Sequence, residues 1–210
     1  IVGNVAVVGY TGGQADFGNG PVMGGGGNDA VLVSYTAEGT FRWGKVLGGS
    51  AAGHAVPGDT FTAIATDGEG NFYVTGSTAQ TATFGGDTFT CPYNGCLLVA
   101  SFDSDGNHRW SKVFPTTRSD GFSAGQNITV NGTTVVVSGF FRGAHDFGDG
   151  VVDTPPAAEN PNATAAVLLA LGTTSGNFLS KRAFTSGYNM QVRGLRWDVN
   201  NDLHVIGWFE

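Results

Sequence analysis

The sequence predicts an all-β protein in which a unit of four short antiparallel strands recurs along the chain. Its apolar runs are short and rich in β-branched and aromatic residues, turn signals separate them, and no stretch keeps a helical period. Glycine accounts for 35 of 210 residues and charged residues for only 13%, which excludes a coiled coil or a helical bundle. Because hydrophobic residues make up 40% of the chain, a substantial core can form around these glycine turns.

The first marker of the repeat is a glycine that ends an apolar run. Four such glycines occur at intervals of 63 to 68 residues, and each follows a valine by two positions. The residue four positions before each glycine is also apolar. This regular spacing predicts equivalent strands in successive units. The strands are residues 5–9, 72–76, 135–139 and 203–207, which end at Gly9, Gly76, Gly139 and Gly207.

Two further markers follow this glycine in the first three units. Eight residues later stands a Phe-Gly pair, as Phe17-Gly18, Phe84-Gly85 and Phe147-Gly148. A turn glycine then follows a second apolar strand, as Gly39, Gly106 and Gly176. The next strand carries Trp43 in the first unit and Trp110 in the second, whereas the third unit has lost this tryptophan. Each unit therefore reads as four strands separated by turns.

The markers predict one domain, with strands lettered A to D from the innermost to the outermost. The chain supplies strands B-C-D in residues 1–50, A-B-C-D in 51–115, A-B-C-D in 116–186 and A-B in 187–210. The third unit is seven residues longer, and we expect residues 154–164 to form a surface insertion. Incomplete units leave open strand edges, so we expect the remaining blades to come from the same chain or from other subunits.

Four antiparallel strands per repeat form the blade of a β-propeller. The units resemble the bacterial β-propeller repeat family often described as seven-bladed. The resemblance rests on the strand ending at Gly76, the Phe84-Gly85 pair, the turn at residues 103–107, and Trp110 with Lys112. It covers essentially the whole chain. It implies a β-propeller segment of about three repeats plus a partial one and an extracellular or cell-envelope location in bacteria, but no single activity.

Charge and hydropathy exclude two classes of partner. The formal net charge is −7 and the isoelectric point is about 4.9, so the chain lacks the basic stripe that nucleic-acid binding needs. No apolar run approaches the roughly 18 residues that span a bilayer. We therefore expect no nucleic-acid partner and no membrane span.

The two cysteines lie close together in the sequence. Cys91 and Cys96 flank Pro-Tyr-Asn-Gly, a turn sequence that can bring both ends within disulfide distance. We expect a disulfide, which suits an exported protein. Two free buried thiols and a metal site are the alternatives, although a structural zinc would need two further ligands.

A binding site is expected where the long loops gather. In a blade with this strand order, the B-C and D-A loops share one face, and the short turns share the other. The loop richest in polar groups carries five candidate ligand-binding residues, namely Arg142, His145, Asp146, Asp149 and Asp153. These side chains could hold a hard cation such as calcium or orient a sugar. The alternative is a solvated loop in which the aspartate beside the Phe-Gly pair caps a turn, as Asp16 would in the first unit.

Other motifs are explained by structure alone. Residues 103–107 alternate oxygen ligands as a calcium loop does, but no Glu stands at the twelfth position, so a hairpin turn explains them. Glycine clusters at residues 24–27 and 48–49 have no Gly-Lys-Ser/Thr after them, so a phosphate cradle is not expected. No cofactor is expected.

The sequence therefore favours a non-enzymatic binding or structural module of a bacterial surface or secreted protein. Its partner would be a protein or glycan ligand, engaged through the long loops or by edge-strand assembly. The alternative is a carbohydrate-binding lectin or a propeller enzyme with a site on the long-loop face.

Overall fold

The computed structural model describes residues 3–49, 58–154, 163–185 and 189–209. This part of the chain contains seventeen strands and no helix, and all strand pairs are antiparallel. The all-β, antiparallel prediction is therefore confirmed. None of the described residues belongs to a helix long and apolar enough to cross a bilayer.

The strands form four main sheets and two small hairpins. The first sheet, in the order β1-β4-β5, contains β1 (Val5–Thr11), β4 (Asp29–Tyr35) and β5 (Phe41–Leu47). The second, in the order β6-β7-β8-β9, contains β6 (Thr60–Thr66), β7 (Phe72–Thr83), β8 (Thr88–Phe102) and β9 (His108–Phe114). The third, in the order β10-β11-β14-β15, contains β10 (Phe122–Asn131), β11 (Thr134–Arg142), β14 (Ala165–Gly172) and β15 (Phe178–Phe184). The fourth pairs β16 (Met190–Trp197) with β17 (Leu203–Phe209).

The three regions predicted as long B-C loops, residues 10–28, 77–95 and 140–164, are in part strand. The first contains the hairpin of β2 (Gln14–Asp16) and β3 (Pro21–Met23), and the third contains the hairpin of β12 (His145–Asp146) and β13 (Val151–Val152). In the second region β7 and β8 continue as a long hairpin as far as Thr83 and Thr88. Each Phe-Gly pair lies at a hairpin tip, where positive φ angles of 106–130° at its glycine explain why glycine is needed there.

Short turns between the main strands are closed by aspartate. The Oδ1 atoms of Asp67, Asp103 and Asp198 each accept hydrogen bonds of 2.8–2.9 Å from the backbone N–H groups two and four residues later. This arrangement is an Asx-type turn, in which the side chain takes the place of a backbone acceptor. The hairpin interpretation of residues 103–107 is therefore what the geometry shows.

Each main sheet packs face to face with the next sheet along the chain. At the first seam, Leu32 of the first sheet and Val74 of the second belong to one buried cluster. At the second seam, Leu97 on the opposite face of the second sheet packs with Leu169 of the third. Because successive side chains of a strand point to opposite faces, the middle sheets bury both faces, and their strands are nearly continuous apolar runs.

A tryptophan joins neighbouring sheets on the outside of the first and second seams. Trp43 of β5 donates its Nε1–H to the carbonyl oxygen of Ser104 at 3.2 Å, and its ring covers Gly106 so closely that a Cβ there would lie 2.9 Å from the indole. The second seam repeats this arrangement at 2.9 Å with Trp110, Thr173 and Gly176. The recurring Trp and the turn glycine are therefore two halves of one inter-sheet contact.

The two cysteines form the predicted disulfide. The Sγ atoms of Cys91 and Cys96 are 2.06 Å apart. Both residues belong to β8 and pair with β7 at Gln80 and Thr78, so residues 92–95 project from the sheet between them. The disulfide closes the neck of this projection. Asn94 in the projection donates to the carbonyl oxygen of Ser119 at 3.2 Å, which ties the projection to the loop that enters the third sheet.

The predicted surface insertion is anchored at both ends. Its central residues 155–162 lie outside the described residues. Thr154 and Ala163 are both buried, and the Thr154 hydroxyl accepts a hydrogen bond of 2.9 Å from the backbone N–H of Gly143. Both described ends are therefore anchored in the fold, and the expectation of a surface insertion stays a prediction for the residues between them.

Candidate functional site

His145 is a buried residue of the β12–β13 hairpin. It has 0% exposure, its ring stacks on Phe147 at 5.4 Å between centroids, and Phe141 contacts its face edge-on at 5.6 Å. Nε2 lies 3.0 Å from the Arg142 carbonyl oxygen, which can only accept, so Nε2 carries the proton. Burial lowers the pKa of His145 below 6.5, although nearby backbone carbonyls oppose this shift. The ring is therefore neutral and closed to a ligand arriving from solvent.

Asp146 caps the tip of the same hairpin. Its Oδ1 accepts hydrogen bonds from the backbone N–H groups of Gly148 at 2.8 Å and Gly150 at 3.2 Å. These two bonds stabilise the charged carboxylate and lower the pKa of Asp146. Asp16 accepts an equivalent pair of bonds at the tip of the β2–β3 hairpin. The Asp146 carboxylate therefore caps the turn, as the alternative interpretation of this loop as a solvated loop with a turn-capping aspartate expected.

Asp149 and Asp153 each contact a different cation. Asp149 forms an ion pair with Lys181 of β15, and Asp153 lies 2.6 Å from Nη1 of Arg118. Arg118 also contacts Asp120 at 2.6 Å. The two carboxylates are thus directed to different elements, and the structure does not bring them to one point.

Arg142 spans the gap between two loops. Its Nε donates to the Asp120 carbonyl oxygen at 3.1 Å, and its guanidinium lies 5.1 Å from the centroid of the Phe122 ring. A cation above an aromatic face at this distance is attracted to it. Together with Arg118, it ties the loop before β10 to the end of β11. All five candidate residues therefore have partners within the protein, and their role in ligand binding stays a prediction.

The described residues contain no group of three His, Cys, Asp or Glu side chains placed to hold a metal ion. The carboxylates of Asp103 and Asp146, which suggested calcium, accept backbone hydrogen bonds within their own turns. Calcium in proteins takes six to eight oxygen ligands. Neither turn, as described, gathers such a set.

Sequence reasoning missed a pair of buried carboxylates at the first seam. Asp29 and Asp59 are each only 2% exposed. A Cβ on Gly48 would lie 2.5 Å from an oxygen of Asp59 and 2.6 Å from an oxygen of Asp29. The glycine cluster at residues 48–49, which was considered only as a phosphate cradle, therefore leaves room for two carboxylates.

The two carboxylates are unequally bonded. Asp59 accepts hydrogen bonds from the Thr78 hydroxyl at 2.6 Å and from the backbone N–H groups of Ala79 at 3.2 Å and Gly49 at 2.8 Å. Burial nevertheless raises the pKa of Asp59, and the charge of Asp29 adds to the shift, while these hydrogen bonds oppose it. Asp29 accepts one long bond of 3.4 Å from the Gly26 N–H. The sequence carries a signal for both, since Asp29 is the first residue of β4 and Asp59 directly precedes β6.

A second missed group lies on the short-turn face at the second seam. The Tyr73 hydroxyl donates to Asp67 Oδ2 at 2.8 Å and accepts from Arg109 Nη1 at 3.0 Å. Burial opposes the charged form of Asp67, but its hydrogen bonds outweigh this effect and lower the pKa of Asp67. These side chains line a cavity of about 490 Å³ that also reaches Glu69 and Thr173. Sequence reasoning placed the expected site on the opposite face.

Comparison with known proteins gives no family assignment. No protein-family model matches the chain, and no curated protein sequence matches it.

Proposed function

We propose that this chain is a β-propeller segment that serves as a non-enzymatic, extracellular binding or structural module of a bacterial surface or secreted protein. Its main sheets follow one another in chain order, and the two complete sheets have their four strands in sequence order. That is the construction of propeller blades, which stack around a common axis. The disulfide supports an extracellular location, since disulfides persist in oxidising compartments.

One observation carries the assembly role. Among the main strands, large exposed apolar side chains concentrate on the two end sheets. They are Val5, Val7 and Tyr10 on the first sheet and Val205, Ile206 and Trp208 on the fourth, whereas the described strands of the two middle sheets have only Leu179 and Tyr93, the latter in the projection closed by the disulfide. Exposed apolar groups that continue a buried interface mark a surface where another element packs. The end sheets are therefore suited to binding further sheets.

The natural protein provides the test. We expect its native mass, measured by intact mass spectrometry and sedimentation, to exceed the 21.6 kDa of this chain, either as one longer polypeptide or as an assembly. Val7→Lys should then destabilise or dissociate that particle, because it places a charge in the buried contact. Val151→Lys, at an exposed valine of the β12–β13 hairpin outside the end sheets, is the control and should have no effect.

A natural particle that sediments as a 21.6 kDa monomer, with Val7→Lys and Val151→Lys indistinguishable, would overturn the assembly role. The alternative function, a lectin or enzyme site on the long-loop face, stays a prediction. It requires Arg142 or Asp153 to leave the partners described above when a glycan or substrate binds.

A further inference from the structure

The first sheet carries one half of an inter-sheet contact whose other half is missing. At the first and second seams a turn glycine with positive φ is buried under the tryptophan of the preceding sheet, as at Gly106 and Gly176. Gly39 is the equivalent glycine of the first sheet, with φ of 85°. It is exposed, and no described atom lies within 4 Å of the place where its Cβ would stand. The position that an indole occupies at the other seams is open here.

The turn that contains Gly39 has the conformation that accepts a tryptophan. Within it the Gly39 N–H donates to Thr36 and the Thr36 N–H donates to Thr40. The turn at residues 103–107 has the same two backbone hydrogen bonds in the same positions. Ala37 stands where Ser104 stands in that turn, and Ser104 supplies the carbonyl that accepts the Trp43 N–H. The Ala37 carbonyl is therefore the equivalent acceptor.

The face beside this turn is apolar, and its edge strand β1 is exposed. Val5 and Val7 are 49% and 50% exposed, whereas the equivalent Phe72 and Val74 of the second sheet are almost fully buried. Phe17 is partly exposed, although Phe84 and Phe147 at the other hairpin tips are completely buried. A shallow cavity of about 290 Å³ is lined by apolar side chains of this face, namely Val7, Phe17, Val31, Val33 and Tyr35.

We propose that this face of the first sheet is the docking surface for another four-stranded sheet of the same repeat, whose outer strand carries a tryptophan that covers Gly39 and donates to the Ala37 carbonyl. The inference rests on the proposed assembly function and names the partner at one end of the stack. Continuity with the first and second seams is its basis, because the Gly39 turn has the same backbone hydrogen bonds as the turn that Trp43 covers at the first seam.

The sheet that supplies this tryptophan differs from the sheets of this chain. Trp43 and Trp110 are the tryptophans at this position, and both already cover the following sheet. The third sheet has the exposed Ser180 in their place. Among the described sheets, none therefore has a free tryptophan at this position to cover the Gly39 turn of another copy.

The experiment adds such a sheet to the full chain. Residues 58–133, which include Trp110 and strand β10, are duplicated directly ahead of residue 4. In this protein the added β10 copy can pair with the open edge of β1 as β10 pairs with β11. We expect hydrogen exchange at the β1 amides to slow by about tenfold or more relative to the original chain. We also expect the melting temperature of the extended protein to exceed that of the original chain.

Two substitutions test the contact itself. Replacing the tryptophan of the added copy with phenylalanine should reverse most of the protection of β1. Gly39→Asn should leave the original chain unchanged, because that position is open and Asn tolerates positive φ, but should reduce protection in the extended protein. Gly132→Asn in the original copy is the matched control, since Gly132 also has positive φ and open space around it.

Two results would overturn the inference: an extended protein whose β1 amides exchange as fast as before, or a Gly39→Asn substitution with the same effect in both proteins. Concentration-dependent dimerisation of the original chain that Gly39→Asn abolishes would also overturn it, since a second copy would then be the occupant. The proposed function would fail in a different measurement, in which the natural protein sediments as a 21.6 kDa monomer.

Discussion

Replacing Asp29 with Asn should stabilise the folded chain at neutral pH. Asp29 and Asp59 are both buried at the first seam, and their oxygens approach the same point beside Gly48. Among the described residues, the strands β1, β4, β5, β6 and β7 around them carry no cationic side chain except Arg42 and Lys45 on β5. His54 falls outside the described residues. The two carboxylates therefore repel each other, and Asn at position 29 removes one of the charges.

The magnitude follows from the separation of the two carboxylates. Each has an oxygen within 2.6 Å of one point, so these two oxygens are at most about 5 Å apart. At an effective dielectric constant of about 20, two unit charges at this distance repel by about 3 kcal/mol. Because the pKa of Asp59 is raised, the mean charge of the pair is reduced, and we expect a gain of about 1–3 kcal/mol at pH 7. For a chain of this size that corresponds to a rise of about 2–10 °C in melting temperature.

The pH dependence distinguishes this explanation from a general packing effect. Because the folded pKa of Asp59 is raised above 3.8, the folded chain holds this proton more tightly than the unfolded chain. The stabilisation is therefore complete below pH 3.8 and is lost as the pH rises through the raised pKa. Asp29→Asn should make this loss smaller, so its gain should be present at pH 7 and absent at pH 3.

Calorimetry at pH 3, 5 and 7 measures this effect. Asp105→Asn is the control, because Asp105 is exposed and its carboxylate accepts none of the observed hydrogen bonds; it should not change the pH profile. A variant that melts lower than the original chain at pH 7, or that gains equally at pH 3, would refute the reasoning.

Three further predictions concern other buried groups. Stability supplied by neutral His145 is present above pH 6.5 and is lost as the pH falls, so His145→Gln should flatten the melting profile between pH 8 and pH 5; an unchanged slope would contradict this. Tyr73→Phe removes the hydroxyl between a guanidinium and a carboxylate and should lower the urea unfolding free energy by about 1–3 kcal/mol, whereas no loss would mean that water replaces it. Changing Cys91 and Cys96 to Ser opens a loop of about six residues and should cost about 2 kcal/mol, measured against the oxidised chain; a loss of cooperative unfolding would show that the disulfide supports more than its own loop.

Much of the fold was accessible from the sequence because strand patterning is local. The apolar strand ending at Gly76, the turn at Asp103 and the close cysteine pair all depend on residues a few positions apart. Alternation along the chain, turn chemistry and short loops follow from backbone geometry alone. The β2–β3 and β12–β13 hairpins were missed, since strands of two or three residues are too short to show a period.

The candidate site was harder to predict from the sequence, because the burial of each side chain and its bonding partners depend on contacts between distant segments of the chain. His145 looked like a surface ligand, but Phe141 and Phe147 enclose it. Asp149 and Asp153 looked like a cluster, but cations from separate elements draw them apart. Neighbours in sequence share a loop, yet their side chains point to different partners once the sheets pack.

The sequence by itself determined the antiparallel all-β class, the repeated unit, the hairpin turns and the disulfide, since each depends on short-range geometry. Only the tertiary structure decided which tryptophan covers which glycine, that two carboxylates meet beside Gly48, and that Gly39 is left open. These contacts join residues up to about 60 positions apart. Their geometry depends on how one sheet stacks on the next, and no local pattern encodes that distance or angle.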